Sequence, residues 1–158
     1  MASVSWLFYV SKFIELLDTL FFILRKKNNQ ITFLHVFHHG IMPVTWYFGI
    51  RFVPGGLGSF HALINCIIHV FMYFYYGLSA CGPQFQKYLW WKKYMTKMQM
   101  IQFIIVMAHS SQFFFIPCDY PIIFSYWICS YALIFMIFFS NFYIQEFINR
   151  QGLKNKTQ

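Results

Sequence analysis

The sequence predicts an all-α, polytopic membrane helix bundle, and three observations predict it. First, 59% of the 158 residues are apolar and 24% aromatic, while only 10% are charged. Twelve basic and four acidic side chains cannot cover the surface of a 19.1 kDa water-soluble domain. Second, the apolar residues fall in five runs, each long enough for the roughly 20 helical residues that a hydrocarbon core requires. Third, these runs lack the period-2 alternation of a transmembrane β-barrel. The same composition excludes a disordered chain, and four Cys in a mostly apolar sequence exclude a disulfide-stapled scaffold.

The runs lie at about 5–24, 31–50, 57–80, 94–116 and 121–148, within a membrane domain spanning 1–150 and followed by a tail at 151–158. Their connections carry turn formers: Asn28-Asn29, Pro54-Gly55-Gly56, Gly82-Pro83, and the stretch from Pro117 to Pro121. The first run is not a signal peptide, because it lacks a basic leader and Glu15 and Asp18 interrupt its centre. Basic residues sort by side. Arg25, Lys26, Lys27, Lys87, Lys92, Lys93, Lys97, Arg150, Lys154 and Lys156 fall at one membrane face, and Arg51 falls at the other. The positive-inside rule makes the first face, with the C-terminus, cytosolic. Because these residues flank apolar runs instead of forming one patch, the net charge of +8 implies no nucleic-acid partner. The terminal Lys154-Asn155-Lys156-Thr157-Gln158 fits a dilysine address for the endoplasmic reticulum; an ordinary basic juxtamembrane tail is the other reading.

Ionisable groups inside a bilayer are costly and mark function by default. In the first run Lys12, Glu15, Asp18 and Thr19 share one side of a helix, and Lys12 can pair with Glu15. The second run carries His35, His38 and His39, whose i, i+3 and i+4 spacing brings three imidazoles to one face. They could ligate a metal, act as bases or nucleophiles, or hydrogen-bond within a core. The third run places Asn65, His69, Met72, Tyr73 and Tyr76 in one stripe, and the fourth offers Thr96, Gln99 and Gln102. Taken alone, Gln99 and Gln102 read by default as helix-to-helix glue.

Counted from each cytosolic end at about 1.5 Å per residue, these groups share a level roughly 8–16 Å deep, which predicts one reaction chamber open to the cytosol. Six His are too few for a di-iron desaturase. A mononuclear zinc on His35, His38 and His39 stays conceivable, but three box residues on one straight helix rarely meet tetrahedral geometry without a carboxylate or thiolate nearby, so metal-free imidazole chemistry is preferred.

The ordered set Lys12-x-x-Glu15-x-x-Asp18-Thr19, Gln30-x-x-Phe33-Leu34-His35-Val36-Phe37-His38-His39, Asn65-x-x-x-His69-x-x-Met72-Tyr73-x-Tyr75-Tyr76 and Thr96-x-x-Gln99-x-x-Gln102 resembles the signature of the very-long-chain fatty acid elongases, the ELO family. That resemblance implies a seven-helix ring around a dead-ended acyl tunnel, of which this chain would supply about five helices and lack the first two. It implies a 3-ketoacyl-CoA synthase of the endoplasmic reticulum that condenses malonyl-CoA with a long-chain acyl-CoA, uses no metal or other cofactor, and hands its product to separate reductases and a dehydratase.

By the same similarity His38 accepts the acyl group, His39 and His35 orient it or move protons, and His69 assists malonyl decarboxylation with Asn65 and Tyr73 near the oxyanion. Lys12, Glu15 and Asp18 support the box, while Gln99, Gln102, Tyr76, Lys92 and Lys93 serve the CoA-bearing substrate. Cys118, in the lumenal turn, looks paired in some relatives with a Cys near the absent helices. Two competing readings stay open: a catalytically inactive form that binds membrane lipid or forms a homo- or heterodimer, and a small transporter using the polar layer as its path.

Overall fold

The computed structural model describes residues 2–27, 30–117 and 119–149. The Asn28-Asn29 turn, Cys118 and the dilysine tail lie outside the described residues. Among the described residues six α-helices follow one another: α1 (Ala2–Ile14), α2 (Leu17–Leu24), α3 (Phe33–Phe52), α4 (Leu57–Ala80), α5 (Lys92–Ser111) and α6 (Ile122–Tyr143). Short 3-10 turns at Pro83–Tyr88 and Gln112–Phe114 flank α5, and a π-helical turn, Ile144–Asn149, extends α6. No strand occurs among the described residues. By length and apolar composition Gly58–Ala80 and Ile122–Asn149 pass as membrane spans. Helices α3 and α5 have 20 residues each, about 30 Å at the helical rise, but imidazoles, amides and lysines dilute their apolar content.

The punctuation has identifiable causes. The first run, expected as one span at 5–24, is two helices, because the chain tightens at Glu15 and Leu16. There Leu16 N–H bonds to Phe13 C=O at 3.2 Å and Asp18 N–H to Glu15 C=O at 3.2 Å, both i to i−3. At the end of α2 Lys26 adopts a left-handed φ of 54°, and Lys27 N–H returns to Phe22 C=O, closing the helix without the usual glycine. Thr32 caps α3 by accepting from His35 N–H at 3.2 Å. Between α3 and α4 Gly55 and Gly56 take φ values of 104° and 56°, which only glycine adopts without steric cost.

The chain divides into two compact units between Ala62 and Leu63, within α4. In the first, α1 packs on α3, and Phe8 meets Trp46 edge-on at 4.4 Å between ring centroids. Its interior contains Ser5, Lys12, Glu15, His39 and His61, while Trp6, Leu7, Phe13, Phe33 and Val36 are exposed. In the second unit α5 and α6 run antiparallel, since Lys92 meets Glu146, Phe103 meets Phe135, and Phe114 meets Tyr126. Phe135, Ala132, Val106, Ser110 and Ser125 fill that seam, whereas Ile104, Ile123, Ile134 and Ile137 point outward. Each unit therefore buries polar groups and displays large apolar ones, the reverse of a soluble domain. With every described element helical, this is an all-α membrane helix bundle.

Candidate active site

In the first unit the imidazoles ride on the first two turns of α3, behind the Thr32 cap. The ring of His35 lies 4.4 Å from that of His39, and His38 meets His39 edge-on at 5.2 Å. The three-residue spacing that predicted a shared face is realised. His39 is buried, and His35 and His38 are half-buried. Pro43, one turn beyond, has no N–H to offer the carbonyl of His39, so the helical ladder is interrupted next to the box.

Helices α1 and α2 bring the ionic groups. Lys12 is 1% exposed, its Nζ 2.6 Å from Glu15 Oε1 and 4.3 Å from the centre of the Phe8 ring. The other carboxylate oxygen of Glu15, Oε2, lies 3.8 Å from His39 Nδ1. Thr19 Oγ1 is 3.0 Å from His35 Nε2, and the ring of Phe22 packs beside the same imidazole at 5.3 Å. Asp18 is half-buried in the first turn of α2.

Two participants escape sequence reasoning. Thr19 appears in the motif without a role, yet it holds His35; that contact crosses 16 residues and depends on how α2 lies against α3. His61, which belongs to none of the sequence motifs, is buried with its ring 5.6 Å from that of Trp46. Its spacing from the other histidines carries no signal that could have found it.

In the second unit α4 buries Asn65, 2% exposed, and His69 on one stripe, and His69 is followed by Tyr73 at 6.0 Å and Tyr73 by Tyr76 at 6.3 Å between ring centroids. Met72 and Tyr75 pack with Met95 of α5 in an apolar cluster, with Tyr73 and Tyr76 against its margin. Gln99 Nε2 points at the Met72 sulfur, 3.9 Å away. Gln102 is 4% exposed, and its Oε1 has no hydrogen-bond partner in the structure.

At the ends of α5 and α6 Lys92 binds Glu146 at 3.0 Å and lies over Phe147, while Lys93 lies over Tyr143. The sequence placed Lys92 among the substrate residues without foreseeing this acidic partner. Among the described residues no group of three His, Cys, Asp or Glu side chains is placed to hold a metal ion.

Comparisons with known proteins bear on both units. The sequence pattern of the ELO family, described as GNS1/SUR4, matches residues 1–155. Very long chain fatty acid elongase 7 of Rattus norvegicus is 56% identical over 155 residues, covering 97% of this chain and 55% of the relative. Very long chain fatty acid elongase 1 of Homo sapiens is 53% identical, covering 100% of this chain and 57% of the relative. Very long chain fatty acid elongase 7 of Drosophila melanogaster is also 53% identical, covering 93% and 45% respectively. The chain thus spans about half the length of the curated relatives it matches. No solved structure matches it. A match over nearly every residue, together with identities above one half, shows that the chain belongs to the ELO (GNS1/SUR4) family of very-long-chain fatty acid elongases.

Proposed function

We infer that this chain carries the condensing chemistry of fatty acid elongation, as a 3-ketoacyl-CoA synthase acting on malonyl-CoA and a long-chain acyl-CoA. The observation that carries the reading is the cluster of three imidazoles in the first unit, flanked by a buried Lys–Glu pair and surrounded by outward-facing apolar side chains. A lipid-facing scaffold without chemistry has no use for so many costly groups in one place.

A neutral imidazole of His38 attacks the thioester carbonyl, forming a nitrogen–carbon bond and expelling CoA as its thiolate. The imidazole proton passes through a neighbouring histidine to that thiolate, which leaves as free CoA. Malonyl-CoA then loses carbon dioxide, and the resulting enolate attacks the acyl carbon and expels His38 as an imidazolate, which takes up one proton from water to become neutral again, yielding a 3-ketoacyl-CoA two carbons longer. We assign His69, with Asn65 and Tyr73, to the malonyl step, where donors that meet a developing enolate lower the barrier. Gln99 and Gln102 take polar parts of the CoA arm. The unpartnered Gln102 carbonyl suits an amide N–H of that arm.

The reaction needs no metal or other cofactor. The proposed setting is the endoplasmic reticulum membrane, with the C-terminus cytosolic and separate reductases and a dehydratase taking the product onward. The test expresses the chain in microsomes lacking endogenous elongases, alone and joined to the preceding helices of a relative, with labelled malonyl-CoA and an acyl-CoA. A two-carbon-longer 3-ketoacyl product is expected, falling about a thousandfold or more in His38→Ala at equal protein level. Absence of product in both forms overturns the reading in favour of a lipid-binding or oligomerising protein.

A further inference from the structure

Glu15 divides its two carboxylate oxygens between different partners. Oε1 accepts from Lys12 Nζ at 2.6 Å, and Oε2 faces His39 Nδ1 at 3.8 Å. All three side chains are buried, so neither charge is screened by water. A lysine that only neutralised a stray carboxylate would be as well placed on either oxygen. Here it occupies one and leaves the second aimed at an imidazole of the box.

The tight turn at Glu15 and Leu16 is what delivers it. The backbone leaves α1 at Ile14, and Glu15 sits at the step into α2, facing α3. A distance of 3.8 Å is longer than a hydrogen bond, but carboxylate–imidazole contacts are often loose without substrate and close when charge develops.

We propose that Glu15, held by Lys12, is a positioning residue that fixes His39 as the tautomer protonated on Nδ1, leaving Nε2 as the proton acceptor of the box. The inference rests on the elongation reading for its purpose, though not for its geometry. His39 then takes the proton that His38 sheds when it is acylated and passes it to the departing CoA thiolate. The imidazolium formed in between faces the carboxylate of Glu15, with the rings of His35 and His38 at 4.4 and 5.2 Å. No bond to Glu15 is made or broken, and its own proton count does not change. This division of labour is that of a carboxylate orienting a histidine beside a nucleophile.

The experiment uses the full chain in lipid nanodiscs with nitrogen-15 in its histidines, the His39 signals being identified by their loss in His39→Gln. Wild-type His39 is expected to carry its proton on Nδ1. In Glu15→Gln, Lys12 keeps the amide oxygen, the amide NH2 faces Nδ1 as a donor, and the proton moves to Nε2. Where the same preparation makes product, kcat is expected to fall about a hundredfold while KM for acyl-CoA stays within about twofold. An unmoved tautomer overturns the proposal, and so does a moved tautomer with unchanged kcat.

Should Glu15→Gln not fold, Lys12→Met carries the test. The carboxylate, relieved of its lysine, draws a second proton onto His39, and an unchanged His39 spectrum again overturns the assignment. If the tautomer responds as expected but no form of the chain elongates an acyl-CoA, the positioning contact stands and the elongation reading alone falls.

Discussion

The two units solve the problem of a membrane interior in opposite ways. The first places a lysine, a glutamate and imidazoles at its centre and satisfies them with one another. The second fills the seam between α5 and α6 with Phe103, Val106, Ala132 and Phe135, and that seam admits polarity only as single hydroxyls, those of Ser110 and Ser125. The difference teaches which part depends on charge compensation and which on shape. In the first unit the polar partners must arrive together, because one alone is an uncompensated charge in low dielectric. In the seam of the second the side chains are apolar, and the cost of truncating one follows the volume removed.

The sharpest way to break this contrast is Phe135→Ala. Phe135 is 0% exposed and meets Phe103, Tyr131 and Phe138. Its truncation is expected to cost about 3–5 kcal/mol, measured as a large drop in thermal midpoint of the detergent-solubilised chain. A loss below about 1 kcal/mol would show the seam to be loosely packed.

A smaller effect is expected in the first unit from Thr32→Ala, which removes the cap on His35 N–H. About 1 kcal/mol should be lost, with amide exchange faster in the first turn of α3 and unaltered in α6. Equal change in both helices would mean that the two interiors are not separable.

The smallest is Ser125→Ala. Its hydroxyl is fully buried and makes no hydrogen bond, so replacing it with a methyl group should leave stability unchanged or raise it by up to about 1 kcal/mol. Clear destabilisation in the same thermal assay would reveal a polar role in a seam read here as apolar.

Much of the fold was legible because helix-forming runs and their breakers are local. The limits expected for the third and fifth runs agree closely with α4 and with α6 plus its π turn. The box was legible for the same reason, since positions three and four apart on α3 must share a face. The break at Glu15 and Leu16 was not, because it consists of two backbone bonds reaching back three residues instead of four, in a stretch with no Gly or Pro to announce it. Thr19 against His35 and Lys92 against Glu146 were illegible because each joins residues far apart in the chain, 16 and 54 positions respectively. Glu15 was legible as a partner of Lys12, three positions away. Its second oxygen, turned toward His39, required α1 and α3 to be packed.

The closeness of Lys12 and Glu15 in sequence also bears on how the protein is made. When a buried ion pair joins two different helices, each half enters the membrane without its mate, at the cost of a bare charge in lipid. These two can neutralise each other within a single emerging segment, before α3 has left the ribosome. The segment can be handed to the translocation machinery as a neutral dipole instead of two separate charges, and the group that later steadies an imidazole first serves as its own passport into lipid.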